Sequence, residues 1–216
     1  VESVSPGHSA AVDERSEAMR WALRLNEALE NDRFELFCQS ISPLQSLNGH
    51  ERHFEILLRM RDAETGNLLP PGQFIPAAER FGLAMKLDTH VVDRTLRWFE
   101  HNPEAAARVE MCSINLSADS LDDERFLAFL QARLARSTMP PQRLCFELTE
   151  TSALRDLARA QHFIKAVRAL GCQFALDDFG TGFCSFGYLR SLDVDYFKID
   201  GSFVRDVESS PVALAI

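Results

Sequence analysis

Apolar residues recur along this chain with two different spacings. From Asp13 to Asn31 they return every three to four positions. Trp21, Leu25, Ala28 and Leu29 share one face and Arg20, Arg24 and Glu27 the opposite one, the signature of an amphipathic helix. Residues 1–12 are small, polar and proline-containing and read as a linker. Six later runs read as strands: Phe34–Ile41, His53–Met60, Met111–Ser117, Arg143–Thr149, Cys172–Phe179 and Tyr196–Phe203. Helical stripes lie between most of them. Val92, Leu96 and Phe99 form one, and Phe126, Leu127, Leu130 and Leu134 another. The third, Phe163, Ile164, Val167 and Leu170, stops at Gly171, where a helix C-cap is expected.

Strands alternating with helices of this length predict parallel β–α units joined by right-handed crossovers. An open doubly wound sheet and a closed barrel both fit that order. The polar positions separate them. Glu55, Asn115, Glu147, Asp177 and Lys198 each interrupt a strand that is otherwise apolar. A charge buried there is unfavourable by several kcal/mol unless it is paired or metal-bound. Five such residues from five strands predict a site at one mouth of a barrel.

Composition narrows the class. Thirty-two acidic against 23 basic residues in 216 give a net charge of −9, which argues against a nucleic-acid polymer as partner. A small anion held through metal ions stays compatible. An apolar fraction of 46% excludes disorder. The apolar runs are too short for a membrane span of about 20 residues, and the start of the chain lacks a signal-peptide profile, so a cytoplasmic protein is expected. The five cysteines Cys38, Cys112, Cys145, Cys172 and Cys184 are odd in number and form no C-x-x-C pair. This predicts neither disulfides nor a zinc knuckle, and the first four read as buried strand residues. The histidines are scattered and read as surface residues.

The strand period gives the candidate site its geometry. Residues i and i+2 share a face, so Glu55 and Arg59 lie along one wall of a strand, and Lys198 points away from Phe197 and Ile199. Asp177 and Asp178 run into Phe179-Gly180-Thr181-Gly182, where glycine permits backbone conformations that other residues avoid. The oxygen-only set of Glu, Asn and Asp selects Mg²⁺ or Mn²⁺ over zinc. The number of carboxylates suits two ions, which activate water and neutralise developing charge in attack on a phosphodiester. Lys198, among apolar neighbours and beside cations, is expected to have a depressed pKa and to hold or deprotonate the attacking water. Taken singly, each residue also has a structural reading. Glu55 and Arg59 make an ion pair at a barrel end, Gly180–Gly182 a plain turn, Asn115 a turn cap, and Lys198 a counter-charge to Asp177 or Asp200.

Together these runs resemble a known family. Asp177-Asp178-Phe179-Gly180-Thr181-Gly182 resembles the signature loop of EAL-domain phosphodiesterases, which hydrolyse cyclic di-GMP to the linear dinucleotide pGpG. Four further runs are similar to that family's motifs, in its order: Phe54-Glu55-Ile56-Leu57-Leu58-Arg59, Ser113-Ile114-Asn115-Leu116-Ser117, Glu147-Leu148-Thr149-Glu150 and Phe197-Lys198-Ile199-Asp200. The resemblance covers Phe34 to Phe203. It implies a TIM-type (β/α)8 barrel with its first strand antiparallel. It further implies metal ligands Glu55, Asn115, Glu147 and Asp177, with Asp178 serving the second ion, and a catalytic set of Lys198 and Glu150, the latter bracing the Asp178–Gly182 loop. Gln39 matches a guanine-contacting glutamine and Arg59 a phosphate-binding arginine.

The same resemblance divides the chain into a linker and lead-in helix over 1–33 and a barrel domain over 34–216. The lead-in helix resembles the segment that follows a GGDEF-like domain, so an N-terminal regulatory domain is expected, in a larger protein that a membrane could anchor. Ile216 falls before the last two strands of an eight-stranded barrel. Ile56 stands in the middle of the family's name-giving triplet, Ser40 where proline is usual and Met60 where an aromatic is common. The apolar stretch Phe183–Leu189 is expected to make a homodimer contact that orders the loop. Two readings of function follow: a metal-dependent cyclic di-GMP phosphodiesterase, or an inactive EAL-like receptor that binds the same nucleotide. A different Mg²⁺-dependent barrel enzyme fits the metal chemistry but not the loop.

Overall fold

The lead-in helix α1 spans Pro6–Glu30, seven residues longer at its start than the apolar periodicity marks. Its first turns carry alanine and glutamate, which favour helix without making a stripe, and a proline at the first position sacrifices no helical hydrogen bond. In this computed structural model, residues 6–44, 52–180, 191–207 and 210 are described. His50, Thr181, Gly182, Cys184 and the Phe183–Leu189 stretch lie outside them. Leu25 and Ala28 of α1 are fully buried, and Arg24 pairs with Asp62 beyond the second strand.

The strands β1 (Phe34–Ile41) and β2 (His53–Arg61) form an antiparallel pair, with the short β3 (Leu68–Leu69) on the end of β2. Helices α2 (Ile75–Arg80), α3 (Ala84–His101) and α4 (Pro103–Arg108) lead to β4 (Met111–Asn115). Next come α5 (Ala118–Leu121), α6 (Glu124–Leu134), β5 (Leu144–Thr149), α7 (Glu150–Arg155) and α8 (Leu157–Ala169). The described chain finishes with β6 (Gln173–Phe179), β7 (Tyr196–Ile199) and α9 (Gly201–Asp206). The sheet order is β1-β2-β4-β5-β6-β7, parallel from β2 onward. The expected barrel topology, with its antiparallel first strand, is therefore present. Among the described residues the sheet is not closed, and β1 and β7 are its ends.

Strand alternation sorts the side chains into two environments. One face packs on the helices: Phe146, Phe174 and Ile114 are fully buried, and Phe163 of α8 meets Phe174 edge-on at 6.1 Å and stacks on Phe126 of α6 at 6.1 Å. Gly171 has φ +95° and its amide donates to Arg168 O at 2.8 Å, closing α8 in the left-handed conformation glycine tolerates. The opposite face carries a small apolar floor of Met111, Cys145 and Ala175, with Ile41 against it, and the polar residues singled out above.

Three expectations need correction. Cys112, Cys145 and Cys172 are buried, with thiols pushed by burial up to about 12, but Cys38, on the strand that ends the sheet among the described residues, is exposed there. His90 is not at the surface: it is half-buried, tilted against Phe34 at 5.7 Å, and burial lowers its pKa. The run Tyr196–Phe203 is strand only to Ile199, because the Asp200 carboxylate caps α9 by accepting from Ser202 N at 2.8 Å. Among the described residues no helix is long and apolar enough to cross a membrane.

Candidate active site

Five strands deliver one polar cluster. Glu55 comes from β2, Asn115 from the last position of β4, Glu147 from β5, Asp177 from β6 and Lys198 from β7. Lys198 Nζ donates to Asp177 Oδ2 at 2.9 Å, to Glu55 Oε2 at 3.0 Å and to Glu147 Oε2. Asn115 Nδ2 donates to Glu55 Oε1 at 2.8 Å, so Asn115 faces the cluster and does not cap a turn. Glu55 pairs with Lys198; Arg59 Nη1 instead donates to Leu58 O at 2.9 Å.

Burial sets the electrostatics. Glu147 is 1% exposed, and burial raises its carboxyl pKa against the pull of the Lys198 hydrogen bond. For Lys198, burial acts downward, but the hydrogen bonds and charge of Glu147, with those of Asp177 and Glu55, outweigh it, so its pKa lies above the ordinary lysine value. The depressed pKa expected from Phe197 and Ile199 is therefore corrected. The sequence neighbours are apolar, but the neighbours in space are three carboxylates. One oxygen from each of Glu55, Glu147 and Asp177 lies within 4.8 Å of the other two. Three hard oxygen donors already gathered around an ammonium group fit a metal ion.

At the end of β6 the backbone takes two left-handed steps, Asp178 at φ +53° and Gly180 at φ +99°. For an aspartate that conformation is unfavourable by about 1 kcal/mol or more. The fully buried Glu150 anchors the turn, its Oε2 accepting from Gly180 N at 3.0 Å. Glu150 opens α7 behind Thr149, whose hydroxyl accepts from Ser152 N at 3.2 Å. The Asp178 side chain is exposed and stands outside the three converging carboxylates; burial and the Asp177 charge raise its pKa. Gln39 lies directly across the β1–β2 ladder from Glu55 and is exposed. The Arg59 guanidinium lies 5.8 Å from the centroid of the Phe37 ring. Both occupy the cluster's face of the sheet, nearer its β1 end.

Sequence reasoning missed Asp88. This α3 residue is buried, and its Oδ2 accepts from Ser117 N at 2.8 Å and from Ser117 Oγ and Ser120 Oγ at 2.6 Å each. The available signal was a carboxylate between Leu87 and Val91 on the apolar stripe of an amphipathic helix. The other missed contact is Phe203. A Cβ on residue 180 would lie 2.7 Å from its ring, so the loop accepts only glycine there without rearrangement.

The EAL domain family model matches residues 22–216. Cyclic di-GMP phosphodiesterase PdeB of Shewanella oneidensis is 40% identical over 190 residues, which cover 88% of this chain and 22% of that protein. Cyclic di-GMP phosphodiesterase PdeF of Escherichia coli is 38% identical over 187 residues, covering 87% of this chain and 24% of the relative. The chain thus spans about a quarter of these relatives' length. Among solved structures, the FimX EAL domain from Pseudomonas aeruginosa bound to c-di-GMP superposes with a TM-score of 0.78 at 31% identity, covering 88% of this chain and 74% of that one. The PaMucR phosphodiesterase in complex with c-di-GMP gives 0.80 at 29% identity, covering 91% and 78%. A family match along nearly the whole chain, on a fold that gathers the motif carboxylates in one place, means that this chain belongs to the EAL domain family.

Proposed function

We propose that this chain carries the site of a metal-dependent phosphodiesterase that hydrolyses cyclic di-GMP to pGpG. The observation that carries the reading is the convergence of Glu55, Glu147 and Asp177 on Lys198, with Asn115 bonded to Glu55. The names of PdeB and PdeF support the activity, and c-di-GMP in the two EAL structures supports the substrate. Glu55, Asn115, Glu147 and Asp177 would hold a first Mg²⁺ or Mn²⁺, and Asp178 a second. When bound, such ions supply positive charge to the scissile phosphate and acidify water.

The chain's own residues do the rest. Gln39 contacts a guanine, and Arg59, which pairs with no carboxylate among the described residues, turns its guanidinium to a phosphate oxygen. Lys198 acts in its ammonium form: its three N–H donors hold the three carboxylates in register, and an ion taking those oxygens would free one N–H for the reacting phosphate. Water oxygen bonds to phosphorus, the bond to one ribose 3′-oxygen breaks, and that oxygen takes the proton. Glu150 holds Gly180 and so the backbone that carries Asp178. A receptor that only binds the nucleotide has no need of this carboxylate convergence. The coverage of about a quarter of each relative supports attached domains; we place a GGDEF-like one before α1 and take the working unit as a homodimer. Incubating the full-length protein with cyclic di-GMP and Mg²⁺ or Mn²⁺, then separating the nucleotides by chromatography, tests the reading. It expects pGpG with metal and none with chelator; nucleotide bound and returned intact would favour the receptor.

A further inference from the structure

Asp88 does not touch the carboxylate cluster, yet it holds the segment that leaves it. On α3 it occupies a core position and is 9% exposed. Burial disfavours a carboxylate there and pushes its pKa up to about 6. All three of its hydrogen bonds named above end on one short stretch, the Ser117 amide, the Ser117 hydroxyl and the Ser120 hydroxyl. Ser117 precedes α5 and its side chain makes no cap to that helix, so its hydroxyl is committed to Asp88.

That stretch begins two residues after Asn115. On the other side, Leu116 N donates to Glu147 O at 2.9 Å. The end of β4 is therefore pinned twice, to β5 through Leu116 and to the helix layer through Asp88. Asn115 stands immediately before the two anchors and meets Glu55 at 2.8 Å. A displacement of about 1 Å at this strand end takes Asn115 beyond hydrogen-bonding distance of Glu55.

We infer that Asp88 is a positioning residue of the cation-binding cluster: its carboxylate fixes Ser117 and Ser120, and through them the side chain of Asn115 against Glu55. The inference rests on the reading of Asn115 as a metal ligand. It assigns a role to a residue in the helix layer, on the far side of the sheet from the cluster.

The test is a titration of the full-length protein with Mn²⁺ alone, free ion being followed by electron paramagnetic resonance. Asp88→Asn should raise the half-saturating Mn²⁺ concentration about tenfold, as loss of a partner behind a metal ligand commonly does. Ser120→Ala, which removes one of three donors and little volume, should raise it about threefold. In an Asn115→Ala background Asp88→Asn should add less than about twofold, because the route runs through Asn115. Thermal melts run alongside should show the variants folded, and saturating Mn²⁺ should restore kcat while KM for cyclic di-GMP stays put. Mn²⁺ titrations of Asp88→Asn and Ser120→Ala that overlay wild type would overturn the inference, as would an undiminished Asp88→Asn effect without Asn115. If Asp88→Asn does not fold, Ser120→Ala decides alone. A wild-type protein that takes up no Mn²⁺ would overturn the metal reading and this inference together. A wild type that binds Mn²⁺ and hydrolyses cyclic di-GMP, with both variants matching it, would overturn this inference only.

Discussion

Lys198→Met removes the only charge of opposite sign among four charged groups: Lys198 Nζ contacts Glu55, Asp177 and Glu147, whose oxygens lie within 4.8 Å of one another. At about 3 Å and an effective dielectric near 20, each Lys198 contact contributes roughly 5 kcal/mol of attraction, and each carboxylate pair repels by roughly 3.5 kcal/mol at its widest spacing. Desolvation of the buried Glu147 offsets much of the attraction. Breaking a buried ion pair from one side typically leaves a net loss of about 3–5 kcal/mol. For a domain of this size that corresponds to a melting point lower by about 6–20 °C. The assay is circular dichroism melting of wild type and variant, first in chelator and then with Mn²⁺. Chelated variant should melt in that lower range, and Mn²⁺ should raise its melting point more than it raises wild type's, because a metal ion returns the missing counter-charge. Turnover should stay at least about a hundredfold below wild type even in saturating Mn²⁺, since no metal replaces the directed N–H. Equal melting points in chelator, or equal Mn²⁺ shifts, would refute the reasoning.

Other perturbations probe separate parts of the site. Arg59→Ala should weaken cyclic di-GMP binding by about 10- to 150-fold, a charge-assisted contact being worth roughly 1.5–3 kcal/mol, with kcat nearly unchanged; calorimetry and steady-state kinetics read the two. Gly180→Ala meets both the φ of +99° and the Phe203 ring, so turnover should fall steeply while the far-ultraviolet spectrum is preserved, and full activity would contradict the tight packing of that loop. Asp88 gives a pH signature. Its pKa is about 6 in the folded chain against 3.8 unfolded, so the folded state binds the proton more tightly, and the group disfavours folding fully above pH 6 and progressively less as pH falls toward 3.8. The stability of Asp88→Asn relative to wild type should therefore rise by roughly 2–2.5 kcal/mol between pH 4 and 7. Denaturant titrations across that range would refute the shift if the difference were flat.

The strand-borne part of the site was legible because period-two alternation isolates a polar residue in an apolar run. Glu55, Asn115, Glu147, Asp177 and Lys198 all announced themselves that way, and the structure brings them together. Features that depend on partners distant in sequence were not legible. Phe197 and Ile199 suggested a lysine driven toward neutrality, and nothing local to Lys198 reveals the carboxylates of β2, β5 and β6 that hold its proton. Asp200 continued the polar face of a strand in the sequence, but in space it caps α9. Cys38 alternates like a core residue, but among the described residues it lies on the strand at the end of the sheet and is exposed. The antiparallel sense of β1 came from the family resemblance, since alternation alone carries no strand direction.

The most direct test of the central claim is hydrolysis by the full-length protein in ¹⁸O-enriched water, with product masses measured in Mn²⁺ and in chelator. Hydrolysis in Mn²⁺ should give pGpG carrying one ¹⁸O in its terminal phosphate, and chelator should leave cyclic di-GMP unaltered. Cyclic di-GMP recovered intact from a protein that binds both the nucleotide and Mn²⁺ would contradict the claim.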